Sequence, residues 1–201
     1  MEFTYDFGNE KKKREIYEWD RTWIDHTNDN TGKRYFYIGD SIAWAVRIYL
    51  KQLIGDTYYV DGYSTSKTLS DEYYYETIKL LAKQLPKTDE ILFNFGLHGW
   101  SLEDDTEYKE FYEKALKFLM ELFPSKPIHV VLTTAVKEVA HEERVEPRNR
   151  VAKEIAEKYG LKVLDLYSVA KENADKLSSD GVHFSEEGYI KLAEALNKFL
   201  G

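Results

Sequence analysis

Tyr35-Phe36-Tyr37-Ile38-Gly39-Asp40-Ser41-Ile42 decides the fold: four β-prone residues run into a Gly-Asp-Ser turn, and the turn opens an amphipathic stretch. Residues 35–38 read as a strand. Residues 41–54 read as a helix, with Ile42, Val46, Tyr49, Leu50 and Leu53 on one face. The alternation then repeats. Thr57–Val60 predicts a second strand, and residues 71–85 a helix that Pro86 ends. Ile91–Phe95 predicts a third strand, residues 105–123 a helix, and Ile128–Leu132 a fourth strand. Pro147 is expected to open a helix that Gly160 closes, and Val163–Leu166 to form a fifth strand. Ser185 is placed to cap a last helix with the stripe Tyr189, Leu192, Ala193, Leu196 and Phe199. Five strands separated by helices predict right-handed crossovers. The expected architecture is an α/β, three-layer α/β/α sandwich with a five-stranded parallel sheet.

Working outward, 201 residues suffice for one domain with its own core. Residues 1–33 stand outside the alternation. Phe3, Tyr5 and Phe7 alternate like an edge strand, and 10–25 is expected to be a helix carrying Tyr17, Trp19 and Trp23. The expected division is an N-terminal arm, 1–33, packed on a main domain, 34–201. A net charge of −8 argues against a nucleic-acid partner. The one dense basic run, Lys11-Lys12-Lys13-Arg14, lies between Glu10 and Glu15 and reads as a solvated helical face. The absence of cysteine removes a disulfide framework, a thiol nucleophile and a Cys-based zinc site. No apolar run approaches the roughly 20 residues that span a bilayer, and the first residues lack a signal pattern. A soluble chain without a membrane partner is expected, with compartment and oligomeric state open.

In a parallel sheet, sites form beyond the carboxyl ends of the strands. Four segments fall there: Gly39-Asp40-Ser41, Asp61-Gly62, Gly96-Leu97-His98, and the loop Asp180-Gly181-Val182-His183. A serine alcohol needs a base, and an imidazole base needs its tautomer held. Ser41, His183 and Asp180 have those roles available, with Asp165 as an alternative orienting carboxylate. Ser41 read alone is more simply a helix cap, and the 179–183 turn read alone more simply a surface loop; it is their joint occurrence that favours the chemical reading. Gly62 has no side chain to block its N–H, which suits an oxyanion donor, and His98 adds a polar donor. His141-Glu142-Glu143 lacks a second histidine at ligand spacing and reads as a solvated loop. Arg144, Arg148 and Arg150 are candidates for the substrate mouth. Trp44 and Trp100 suit either a sugar face or the core, the core being favoured.

In this order the segments resemble the SGNH or GDSL-type serine hydrolases, over roughly residues 34–200. Tyr37-Ile38-Gly39-Asp40-Ser41-Ile42 is similar to block one of that family, and Asp61-Gly62-Tyr63-Ser64-Thr65 to block two. Gly96-Leu97-His98-Gly99 resembles block three, and Asp180-Gly181-Val182-His183-Phe184-Ser185 block five. The resemblance implies a flavodoxin-like sheet, a nucleophile at Ser41, triad partners at Asp180 and His183, and oxyanion donors at Gly62 and His98. Block three departs from the usual Gly-x-Asn-Asp. His98 stands where the family has its donor asparagine, a subtype with Gly-Leu-His-Gly. The implied activity is hydrolysis of a small acyl ester, acetyl on carbohydrate included, with no cofactor and no metal. Its partner would be a small-molecule or carbohydrate ester. Two other readings use the same fold: a catalytically silent carbohydrate-binding domain, and a flavodoxin-like nucleotide or flavin binder, for which Gly39-Asp40-Ser41 is glycine-poor. Dense Lys/Glu surfaces at 107–117 and 152–158 also suit a redesigned chain.

Overall fold

The computed structural model describes residues 14–100, 104–137 and 139–201. Five strands run parallel: β2 (Arg34–Gly39), β3 (Tyr59–Thr65), β4 (Glu90–Phe93), β5 (Ile128–Val131) and β6 (Lys162–Leu164). A sixth strand, β1 (Asp20–Trp23), pairs antiparallel with β3 and gives the order β1-β3-β2-β4-β5-β6. Helices α1 (Ser41–Ile54), α2 (Glu72–Ala82), α3 (Asp105–Leu122), α4 (Val139–Lys158), α5 (Leu166–Glu172) and α6 (Glu186–Leu200) cover both faces. Period-two alternation along the strands divides the core. Phe36, Ile38, Ile91, Phe93 and Val130 pack toward α2, α3 and α4. Tyr37, Val60, Leu92 and Val131 pack toward α1 and α6.

The chain leaves β2 on one side for β3 and returns on the other for β4, so the strand order reverses beside β2. Loops after β2 and β4 diverge there and leave a crevice. Ser41 opens α1 on that crevice, and His98 follows β4 onto it.

Four expectations need correction. The segment 10–25 is not a helix where it is described. Its end is β1, an exposed edge strand held by its ladder with β3 rather than by a buried helical stripe. The Phe3–Phe7 alternation lies outside the described residues. The second strand does not stop at Asp61-Gly62 but runs to Thr65, paired on both sides. Pro147 does not open α4; the helix runs through it, losing only the hydrogen bond that a proline nitrogen cannot make. The fifth parallel strand ends at Leu164, because Asp165 caps α5 through Ser168 N–H at 3.0 Å and Leu166 already belongs to that helix.

At the opposite end of the sheet an ion pair ties residues 25–29 to the strands. Arg34, fully buried, donates to Asp61 Oδ1 at 2.8 Å, and also to the carbonyls of Asp25, His26 and Asp29. Burial pushes Asp61 up to about 6, against the opposing pull of Asp25 N–H and Arg34. Replacing Arg34 with Met strands that carboxylate, and should cost about 3–5 kcal/mol in urea unfolding at neutral pH. The sign follows from linkage. A carboxyl that holds its proton more tightly folded than unfolded loses stability as pH rises through its folded value. The R34M deficit should therefore grow from about pH 5 to about pH 8, and a deficit that shrinks would contradict the assignment.

Candidate active site

Gly39 ends β2 where a Cβ would lie 2.5 Å from Ala43 Cβ, so only glycine lets the chain turn directly into α1. Asp40, 1% exposed, then caps the helix: its Oδ1 accepts from Ile42 N–H at 2.9 Å and Ala43 N–H at 3.4 Å. Burial raises the proton affinity of Asp40, opposed first by the charge of His98 and then by the two cap bonds. Because Asp40 takes the cap, Ser41 is freed from that role. Its hydroxyl points outward, and its N–H is among those a helix start cannot satisfy internally.

The second half arrives from the other end of the chain. Residues 176–185 fold back on themselves, with Ser178 N–H donating to His183 O at 2.8 Å and Ser185 N–H to Lys176 O at 2.7 Å. Asp180 Oδ1 accepts from Ser178 Oγ at 2.7 Å and from the N–H groups of Val182 and His183 at 2.9 Å each. Its Oδ2 faces His183 Nδ1 at 2.7 Å. His183 Nε2 lies 2.8 Å from Ser41 Oγ, across 142 residues of sequence. The bond from Val182 N–H, then Ser178, then His183, hold Asp180 well below the usual carboxylate range. An ionised Asp180 assigns the Nδ1 proton, which leaves the Nε2 lone pair toward the serine.

Ser41, His183 and Asp180 are thus brought together, and His98 is brought near them on the β4 loop. Gly62 is not. It sits inside β3, level with Trp23 on one side and Tyr37 on the other, so it has no place at the crevice. Its lack of a side chain serves packing, since a Cβ would meet Arg47 Cδ at 2.8 Å. The strand continues past it, and with Gly39 level with Ser64, residues 65 and 66 emerge beside Ser41. There Ser66 N–H donates to Trp19 O at 3.1 Å. Asp165 caps α5 and does not orient His183.

His98 is held from several directions. Its Nδ1 lies 3.1 Å from both oxygens of Glu15, and Gly99 N–H donates to Glu15 Oε1 at 2.9 Å. Partial burial of Glu15 opposes ionisation, but these two hydrogen bonds, helped by Arg148, outweigh it and lower its proton affinity. Arg148 does not line a mouth. It is 1% exposed and donates to the carbonyls of Gly96, His98 and Gly99 at 3.0, 2.6 and 3.1 Å. Trp44 packs against Arg21 and Arg47, and Trp100 against Arg148 and His141, so neither is a bare sugar platform. His141 and Glu142 are not in a loop but in the first turns of α4, where Glu142 accepts from Val136 N–H at 2.9 Å. Among the described residues no group of three or more His, Asp or Glu side chains is placed to hold a metal ion. Glu15 and the buried role of Arg148 escape sequence reading. Glu15 sits in a run of charged residues with nothing to single it out.

The crevice thus holds a serine, an imidazole and a carboxylate in line. The GDSL-like lipase/acylhydrolase family model matches residues 107–196. Over 46 residues the chain is 37% identical to an acetylxylan esterase of Xylanibacter ruminicola, a match covering 23% of this chain and 10% of that protein. The chain thus spans about a tenth of the length of that curated relative. Among solved structures, a member of the lipolytic G-D-S-L family from Veillonella parvula superposes with a TM-score of 0.68 at 18% identity, covering 83% of this chain and 97% of that one. An acetylxylan esterase from Geobacillus stearothermophilus gives 0.66 at 18% identity, covering 85% and 94%. A lipase/acylhydrolase from Enterococcus faecalis gives 0.63 at 19%, covering 84% and 95%. The chain is thus similar to the GDSL-like lipase/acylhydrolases over residues 107–196, and it shares the fold of these solved esterases and acylhydrolases.

Gly181 gives a direct check on the loop. Its φ is +72°, and an added Cβ would lie 3.0 Å from Lys137 Cβ. Gly181→Ala should cost about 1–2 kcal/mol for the left-handed backbone, seen by thermal melting. It should also slow ester hydrolysis by pulling His183 off Ser41. Wild-type rate with lowered stability would mean that the turn does not set the imidazole.

Proposed function

We propose that this protein is a serine esterase that hydrolyses a small acyl ester, with acetyl on carbohydrate as the first candidate. One observation carries the reading: the unbroken line Ser41 Oγ, His183 Nε2, His183 Nδ1, Asp180 Oδ2, with spacings of 2.8 and 2.7 Å. His183 takes the Ser41 proton as Oγ attacks the ester carbonyl. The imidazolium that forms is stabilised by the ionised Asp180. The oxyanion is met by Ser41 N–H at the positive end of α1 and by His98 from the β4 loop. His183 returns its proton to the leaving alcohol. Water, deprotonated by the same ring, then releases the acid and restores the serine. The acetylxylan esterases among the similar proteins support the acetyl and carbohydrate choice.

Ser41→Ala should abolish hydrolysis of nitrophenyl acetate while leaving the melting curve unchanged. A fluorophosphonate probe should label wild type at Ser41. An unlabelled protein would favour the silent binding domain instead, and retained activity in the variant would remove Ser41 from the role.

The pH dependence has a fixed sign. Depressed proton affinity keeps Asp180 ionised below the ordinary carboxylate range. The stabilisation it gives the loop is present above its unfolded value, about 3.9, and is lost only in stronger acid. The acid limb of log(kcat/KM) should therefore have a slope of one, from the imidazole alone. A profile flat from about pH 5 to about pH 8 would rule out an imidazole base, and a slope of two would mean that Asp180 titrates with it.

A further inference from the structure

Arg21 leaves β1 on the face that α1 covers, while its neighbour Asp20 leaves on the other and is taken by Tyr63 and Lys67. The Arg21 guanidinium carbon lies over two indoles, 5.4 Å from the Trp19 centroid and 5.7 Å from that of Trp44. A cation–π contact uses the face of a guanidinium and none of its five N–H donors. Among the described residues no acceptor takes those donors and no carboxylate pairs with the charge. The residue is exposed. Arg47, the other cation on Trp44, is a different case: it is 5% exposed and faces the charges of Asp25 and Asp61.

Arg21 also stands beside the nucleophile. It is level with Ser64 of β3, and Ser64 with Gly39 of β2, so two strand spacings, roughly 10 Å, separate it from the turn into Ser41. Trp44 follows Ser41 by three residues, in the first turn of α1. Trp19 meets the His98 ring edge-on at 5.9 Å. Its backbone is tied to the end of β3, accepting from Ser66 N–H at 3.1 Å and donating to Ser66 Oγ at 2.9 Å. Both indoles that hold Arg21 are therefore fixed to the walls of the crevice. A chain of net charge −8 repels an anion. Any preference for one has to come from a local cation with free donors.

We propose that Arg21 is a specificity-determining residue: it takes a carboxylate on the alcohol portion of the ester, as in the acetyl ester of a uronic acid. The inference rests on the esterase reading, in which the acyl group is small and uncharged, so the charge rides on the alcohol. A guanidinium fork matches a planar carboxylate with two parallel hydrogen bonds. The two indoles fix that fork before the ester arrives, which removes part of the ordering cost.

An acetylated methyl glucuronoside and its uronamide differ in charge and little else. Wild type should turn over the acid with a kcat/KM roughly threefold to thirtyfold above that of the amide, the range for a charge-assisted pair discounted for exposure. The preference should shrink between about 20 mM and about 500 mM salt. In Arg21→Gln the ratio of acid to amide should fall to one or below, whatever each rate does, and Arg21→Lys should restore part of it. Equal rates on the two esters in wild type would overturn the proposal. So would a preference that survives Arg21→Gln, since another cation would then read the charge. Calorimetric binding to the Ser41→Ala protein separates this inference from the reaction. Tighter binding of the acid than of the amide, lost when Arg21→Gln is added, supports the site even where wild type releases no acetate. That lack of turnover would count against the esterase reading alone. Equal binding of acid and amide would overturn the site and leave the esterase reading standing.

Discussion

The packing of α6 on α1 is the constraint on which the site depends. Ser41 and His183 lie 142 residues apart, at the starts of segments that have no covalent reason to meet. They meet because both helices bury their apolar stripes on one face of the sheet. Val46 and Leu50 of α1 and Leu192, Ala193 and Leu196 of α6 are all at most 1% exposed. Tyr49 and Tyr189 add a parallel ring stack between the two helices, with centroids 5.7 Å apart. A slip of α6 by one turn moves its start by about 5.4 Å, roughly twice the serine–imidazole contact. Ordinary core packing thus sets the register of the serine–imidazole contact.

The imidazole–carboxylate pair is held by hydrogen bonds rather than by burial. The side chains of His183 and Asp180 are 43% and 51% exposed. In such a setting Coulomb attraction alone gives little. Asp180 compensates by filling its lone pairs: two backbone N–H groups, a hydroxyl and the ring share its two oxygens. Those bonds make one rigid turn of residues 178–183 and favour the ionised acid in the same stroke. Asp40 is the opposite case. It is nearly sealed from solvent, bonds only through Oδ1 to the helix start, and orients the backbone of the serine that follows.

Periodic segments were legible in the sequence, and so were the Gly-Asp-Ser and Asp-x-x-His signals. The α1 boundaries read correctly because a glycine turn and a clean apolar stripe mark them. The failures share a cause: each depends on a partner far away in the chain. Asp61-Gly62 has turn composition, yet Arg34 pairs with Asp61 Oδ1 and Arg47 lies over Gly62, so the strand continues through both. Arg148 reads as a surface cation, but three carbonyls of the β4 loop and two aromatic rings take it inside. β1 was hidden because an edge strand of four residues, three of them polar (Asp20, Arg21 and Thr22), carries no period-two apolar pattern to read.

Histidine at position 98 changes what the rest of the fold must supply. An imidazole has two ring nitrogens, and so brings an ambiguity of tautomer and ring orientation that an amide lacks. The structure meets each freedom with a separate contact: Arg148 holds the His98 carbonyl, the Trp19 edge limits the ring plane, and Glu15 engages Nδ1. Two of these three come from the arm, whose β1 is fastened along β3 by a strand ladder and by the Trp19–Ser66 pair. The arm is thereby part of the same mechanical unit as the loops beside Ser41.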